Sequence, residues 1–155
     1  MPNDKPGLVL DNQYSVPPEF AYSWLTDFHE DDGQRYFGMT EPGTIARGDG
    51  VAHLQATMPF GVSKMTVTPN PPDHWTADGE FFDKSGKRVA KTRIVESVRA
   101  DGAGTRHHAE FYLWPEGFGA KLMFAMGRGR MTRDMTASFV RIKTDLEAEY
   151  RATHG

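Results

Sequence analysis

Glu96 and His107 are the two residues whose types and spacing most readily do chemistry together. They flank Asp101-Gly102-Ala103-Gly104, a turn between two runs of alternating side chains. Taking those four residues as a hairpin loop makes Ala100 face Thr105, Val98 face His107, Glu96 face Ala109, Ile94 face Phe111 and Thr92 face Leu113. Glu96 and His107 then share one face, diagonal across neighbouring strands, at a separation that long side chains close. A buried carboxylate and imidazole are costly unless paired. Inside a ligand cavity they would polarise a carbonyl or move a proton. The plainer alternative is a satisfied polar pair, or a bulge that turns Glu96 outward.

The same register sorts the neighbours. Treating Asp83 to Gly86 as a loop of the same kind brings Trp75, Ala77, Gly79 and Phe81 onto the face of Ile94, Phe111 and Leu113, with Met65 and Val67 from the preceding strand. His74, Asp78, Glu80, Lys91, Arg93, Arg99, Arg106, His108 and Glu110 collect on the other face. One apolar and one charged face is what an antiparallel sheet with a single wet side requires. The apolar set reads equally as a filled core or as the lining of a small-ligand pocket, because both have the same pattern.

The element that must cover this face comes last. Met131, Met135, Phe139, Ile142, Leu146 and Tyr150 form one apolar stripe on a helix of about five turns. Arg133, Asp134, Arg141, Lys143, Asp145, Glu147 and Glu149 occupy the remaining faces. The stripe is expected to dock on the sheet, which puts Met131 and Met135 among the candidate ligand contacts. Just before it, Gly117, Gly119, Gly127 and Gly129 interleave with Phe118, Leu122, Met123, Phe124 and Met126. Glycine within a helix costs about 1 kcal/mol against alanine. The segment therefore reads either as a mobile apolar lid or as a helix beginning whose glycines permit close packing. Arg128, Arg130 and Arg133 cluster where the stripe begins, as an anion-binding turn or as a solvated basic one.

The earlier chain supplies the rest of the frame. Leu8 to about Val16 reads as a strand, and Pro17-Pro18-Glu19 opens a helix. Phe20, Trp24 and Phe28 give that helix an apolar side suited to covering one end of the sheet. His29-Glu30-Asp31-Asp32-Gly33 ends it, and Gln34 to Met39 reads as a second short helix. Strands follow at Thr44 to Arg47, Val51 to Met58 and Val62 to Thr68, with a break at Pro69-Asn70-Pro71-Pro72.

Several classes of chemistry are excluded. No cysteine means no disulfide, thiol nucleophile or thiolate metal site. His107 and His108 point to opposite faces of a strand and cannot chelate one ion together; no metal site and no cofactor are expected. There is no Gly-x-Ser-x-Gly elbow, phosphate loop or His-Glu-x-x-His. A net charge of -3 gives no general pull toward nucleic acid. Without an apolar leader or a run of 18 apolar residues, a cytoplasmic protein with no stable membrane insertion is expected. The 155 residues fit one domain, 1–155, and the 12 % aromatic content with 8 Met is more adaptable apolar side chain than a minimal core needs. Oligomeric state is left open.

Val16-Pro17-Pro18-Glu19-Phe20-Ala21-Tyr22-Ser23-Trp24-Leu25-Thr26-Asp27-Phe28 resembles the opening of the Bet v 1/START-like (SRPBCC) superfamily, which includes polyketide cyclase/dehydrase and lipid-transport domains. Gly104-Thr105-Arg106 at the last hairpin and Ile142-Lys143-Thr144-Asp145-Leu146-Glu147 near the end are similar to motifs of that family. The resemblance implies an α+β helix-grip fold: a curved seven-stranded antiparallel sheet around a long C-terminal helix, with two short helices between strands one and two. It also implies a cavity for a hydrophobic small molecule. Three functions follow as expectations: a carrier of an apolar or amphipathic ligand, a cyclase or dehydrase using Glu96 and His107, or a protein-interaction module using the charged outer face.

Overall fold

Alternating side chains and punctuating turns give β1 (Leu8–Tyr14), β2 (Thr44–Gly48), β3 (Val51–Met58), β4 (Gly61–Asn70), β5 (His74–Asp83), β6 (Arg88–Asp101) and β7 (Gly104–Pro115). Two short helices, α1 (Pro18–Thr26) and α2 (Asp32–Tyr36), lie between β1 and β2, and α3 (Phe118–His154) closes the chain. The computed structural model describes residues 5–37, 39 and 41–154. Gly38, within the expected helix Gln34 to Met39, and residues 1–4 of the expected leaderless N-terminus lie outside the described residues.

The strands form one curved antiparallel sheet in the order β1-β7-β6-β5-β4-β3-β2, the helix-grip architecture. The β6–β7 register is the expected one, with Val98 opposite His107, Glu96 opposite Ala109 and Ile94 opposite Phe111. The β5–β6 register differs. The Asp83 carboxylate accepts the Ser85 and Lys87 backbone N–H groups, and its own N–H donates to Lys87 O, so the turn closes on Asp83 and Lys87 and not, as expected, on Phe82 and Lys87. A register shift follows between Phe81 and Phe82. Trp75 consequently faces Glu96 rather than Ile94. From the Phe81–Ala90 pair onward the displacement is two residues, so those side chains keep their face, whereas Arg88, displaced by one, pairs with Phe82 and joins Glu80 on the charged face.

Two further boundaries move. β4 runs through Pro69 and Asn70, which pair with Trp75 and His74, and the chain turns at the cis Pro71–Pro72 bond instead. The helix expected near Met131 begins at Phe118 and spans 37 residues, about 55 Å.

The core sits at one end of the sheet. Tyr14, Val16, Val67, Trp75, Val98 and Ala109 pack there against Ala21 of α1, Tyr36 of α2, and Phe139, Ile142 and Leu146 of α3. Polar ties hold the same half of α3. Lys143 Nζ donates to Gln13 O (2.6 Å), Ser15 N–H donates to Glu147 Oε2 (2.7 Å), and Tyr36 Oη donates to Asp145 Oδ2 (2.7 Å). Trp24 Nε1 donates to Glu149, and Phe20 meets Tyr150 edge to face at 4.9 Å. The first half of α3 is held more sparsely, by Phe124 against Phe81 and by Arg128 donating to Gly7 O. A Cβ at Gly119, Gly127 or Gly129 would meet nothing within 4 Å. Close packing therefore does not account for those glycines, contrary to one of the two readings. The arginine turn is also displaced: with the helix beginning at Phe118, Arg128, Arg130 and Arg133 lie in its middle and not at its free N–H groups.

Candidate functional site

Four strands and one helix build the site. β7 presents His107 inward, β6 presents Glu96 inward two residues along from Val98, and β1, pairing with β7, sets Asn12 opposite His107 and Tyr14 opposite Thr105. α3 lays Phe139 over the imidazole, stacked at 5.1 Å between ring centres with 16° between planes. Trp75 lies beside the ring, tilted by 32° with 5.6 Å between centres. His107 is 1 % exposed.

The polar atoms of this cluster form one chain. Asn12 Nδ2 donates to Phe139 O (2.8 Å) and to Tyr14 Oη (3.2 Å). Tyr14 Oη and His107 Nδ1 are 2.7 Å apart, His107 Nε2 and Glu96 Oε1 2.9 Å, and Trp75 Nε1 donates to Glu96 Oε2 at 2.7 Å. Donor logic fixes the protons. A backbone carbonyl only accepts, so the amide nitrogen of Asn12 faces Phe139 O and its second hydrogen goes to Tyr14 Oη. At the other end the Glu96 carboxylate only accepts, so Nε2 carries the proton of a neutral imidazole, and Nδ1 is then the acceptor to which the Tyr14 hydroxyl donates. Burial and the nearby Glu96 and Glu147 charges push the Tyr14 phenol well above its usual range, which keeps it a donor. Each Glu96 oxygen accepts one N–H.

The structure thus brings together the pair expected from sequence and gives the two members different access. His107 is fully buried and hydrogen-bonded at both nitrogens. The Glu96 side chain retains 18 % exposure and is the open end of the chain. Asn12 and Tyr14 were absent from the expected site; their only sequence signal is the inward parity of β1, which becomes specific once β1 is known to pair with β7.

The expected ligand contacts divide into groups. Val67 and Trp75 belong to the packed core, and Phe81 is buried between Phe60 (5.1 Å, stacked) and Phe124. Met65, Ile94, Phe111 and Leu113 are half-buried on the inner face, and Met135 is half-buried on α3. Met131 is 40 % exposed. Across this stretch the strands alternate large residues with small ones: Met65 pairs with Gly79 and Gly79 with Thr92, while Ala77 pairs with Ile94 and Ile94 with Phe111.

Two hollows lie elsewhere. One of about 500 Å³ opens on the outer side of β2 to β5 among His53, Gln55, Lys64, Thr66 and Glu80; of the expected contacts it touches Met65 alone. One of about 300 Å³ lies between α1, α2 and α3, among Trp24, Asp27, His29, Asp32 and Tyr36. Among the described residues, no three His, Asp or Glu side chains are placed to hold a metal ion.

Gly104-Thr105-Arg106 has physical work in this frame. Gly104 lies so close to β1 that a Cβ would fall 2.2 Å from Tyr14 O. The buried Thr105 hydroxyl donates to Val16 O (2.7 Å), and Arg106 reaches Asp11. Gly-Thr-Arg thereby seats β1 on β7 and places Tyr14 beside His107.

No protein-family profile matches the chain, and no curated protein matches it. Solved structures do. A conserved protein from Geobacillus kaustophilus superposes with a TM-score of 0.65 at 11% identity, covering 90% of this chain and 93% of that one. Protein Ms6760 from Mycobacterium smegmatis gives 0.60 at 16% identity over 95% and 92%. Ara h 8.0201 gives 0.57 at 11% identity over 91% and 97%. The likeness is one of fold, the Bet v 1-like helix-grip architecture. No described helix is long and apolar enough to cross a membrane.

Proposed function

We propose that the protein binds an apolar or amphipathic small molecule between the inner face of the sheet and the first half of α3, with Glu96 as its polar anchor. The carrying observation is the meeting of two things on one face: half-buried Met65, Ile94, Phe111 and Leu113, and a carboxylate left partly open at their border. Small-molecule sites are mostly apolar with few placed polar groups. Each Å² of apolar surface covered contributes about 25 cal/mol, which gives this wall its affinity. Trp75 and His107 hold the Glu96 carboxylate in place, so a ligand hydroxyl or amine meets a fixed acceptor.

Native mass spectrometry of the full chain purified from its own source tests this. A retained apolar adduct is expected, displaced from an Ile94→Trp variant that fills the wall. Absence of any adduct, together with no saturable binding of an apolar fluorophore such as anilinonaphthalene sulfonate, overturns it.

A second, enzymatic reading draws on the hydrogen-bond chain itself. In it Glu96 is the acid–base group toward a bound polyketide-like substrate, and His107, which no substrate reaches, is a positioning residue. Positioning of a flexible substrate supplies much of the rate of such cyclisations. Product formation that disappears in Glu96→Gln while ligand affinity persists would favour it over the carrier.

A further inference from the structure

The first half of α3 is apolar on two sides. Phe124 faces the sheet and meets Phe81. Phe118, Leu122 and Met126, spaced four apart, form a second stripe turned about a third of a turn or more away, with Met123 beside it. Their exposures are 84%, 51% and 78%, with 46% for Met123. A helix normally buries its apolar stripe, and this second stripe is left largely exposed. Scattered exposed apolar residues need no explanation, but a contiguous set on one face marks an interaction surface.

Charge selects the partner. The segment 118–133 contains Lys121, Arg128, Arg130 and Arg133 and no Asp or Glu, in a chain whose net charge is -3. Arg130 and Arg133 follow on the same side as the outward stripe, one turn and two turns beyond Met126. Phenylalanine, leucine and methionine flanked by cations are the composition of a helix that lies in a lipid headgroup layer, its apolar side chains among acyl ends and its cations at phosphates. We propose that residues 118–133 of α3 dock the protein on an anionic lipid surface, lying along it without crossing it. The helix supports this independently of the ligand reading, although a bilayer is also where an apolar ligand would be met. The glycines that pack against nothing fit a segment whose second face is supplied from outside the chain.

Flotation of the full chain with vesicles tests the proposal. The chain is expected to float with phosphatidylcholine–phosphatidylglycerol vesicles, less so with phosphatidylcholine alone, and less as salt rises. Phe118→Ser with Met126→Ser should lower partitioning about tenfold or more, with an unchanged circular dichroism spectrum, since both side chains are exposed. Arg130→Gln and Arg133→Gln should each cost about fivefold on anionic vesicles and little on neutral ones. The proposal is overturned if the chain stays unbound to anionic vesicles at low salt, or if the Phe118/Met126 variant floats like the wild type. It is equally overturned if sedimentation equilibrium reveals a dimer that this variant splits, which would assign the stripe to a second copy.

Discussion

Trp75 stands directly opposite Glu96 in the β5–β6 pairing and donates its indole N–H to Oε2 at 2.7 Å. The contact uses the carboxylate oxygen that His107 leaves free, so Glu96 is gripped from two strands at once while its side chain keeps 18 % exposure.

Replacing Glu96 with Gln keeps the shape and breaks the pairing. An amide offers one oxygen where two N–H donors converge, so either Trp75 or His107 loses its acceptor. The expected cost is about 1–3 kcal/mol of unfolding free energy, measured by urea denaturation. Glu96→Leu, which leaves both donors unpaired, should cost more. A variant as stable as wild type would show that the two hydrogen bonds are not made.

Tyr14 links the cluster to alkaline pH. Free tyrosine ionises near pH 10, and burial holds the folded-state value above that. Below about pH 10 both states carry the proton and the contribution of the neutral hydroxyl is complete. Above it the unfolded chain binds fewer protons, so stability falls with rising pH by up to about 1.4 kcal/mol per unit for this one group. Tyr36, raised by burial and by Asp145, adds to the same decline. Urea midpoints measured between about pH 9 and 11 should fall less steeply in Tyr14→Phe. That variant should also start about 1–3 kcal/mol lower, since His107 Nδ1 is left without its donor.

Gly104→Ala is expected to be strongly destabilising, by about 1–3 kcal/mol or more, because the obstacle is the Tyr14 backbone carbonyl and no side chain can swing aside. Thermal melting reads the loss, and the spectroscopic environment of Tyr14 should change with it.

Gly119→Ala and Gly127→Ala should do the opposite. Each adds a methyl group in open space within a helix, and each should add up to about 1 kcal/mol to helix stability. Amide hydrogen exchange across residues 118–131 should slow. If loosening of this segment admits a ligand, the rate of ligand uptake should fall in these variants while equilibrium affinity changes little.

The sequence by itself determined the inward face of Trp75, Ala77, Phe81, Ile94, Phe111 and Leu113, the docking of Phe139, Ile142 and Leu146, and the diagonal placement of Glu96 and His107. The reason is that side-chain alternation and helical spacing are local properties, and an even displacement in the β5–β6 pairing leaves them untouched. Tertiary structure alone decided what lies opposite what. The Asp83 turn and the shift at Phe81/Phe82 brought Trp75 to Glu96, and the closure of β1 on β7 brought Asn12 and Tyr14 to His107, across more than ninety residues. It also decided access: no local pattern reveals that the imidazole is buried under Phe139 while Glu96 stays partly open. The extension of α3 back to Phe118 was likewise illegible, because its glycines weaken local helix preference and its outward apolar stripe has no partner within the described residues. Burial is a property of what surrounds a side chain, and those surroundings come from distant parts of the chain.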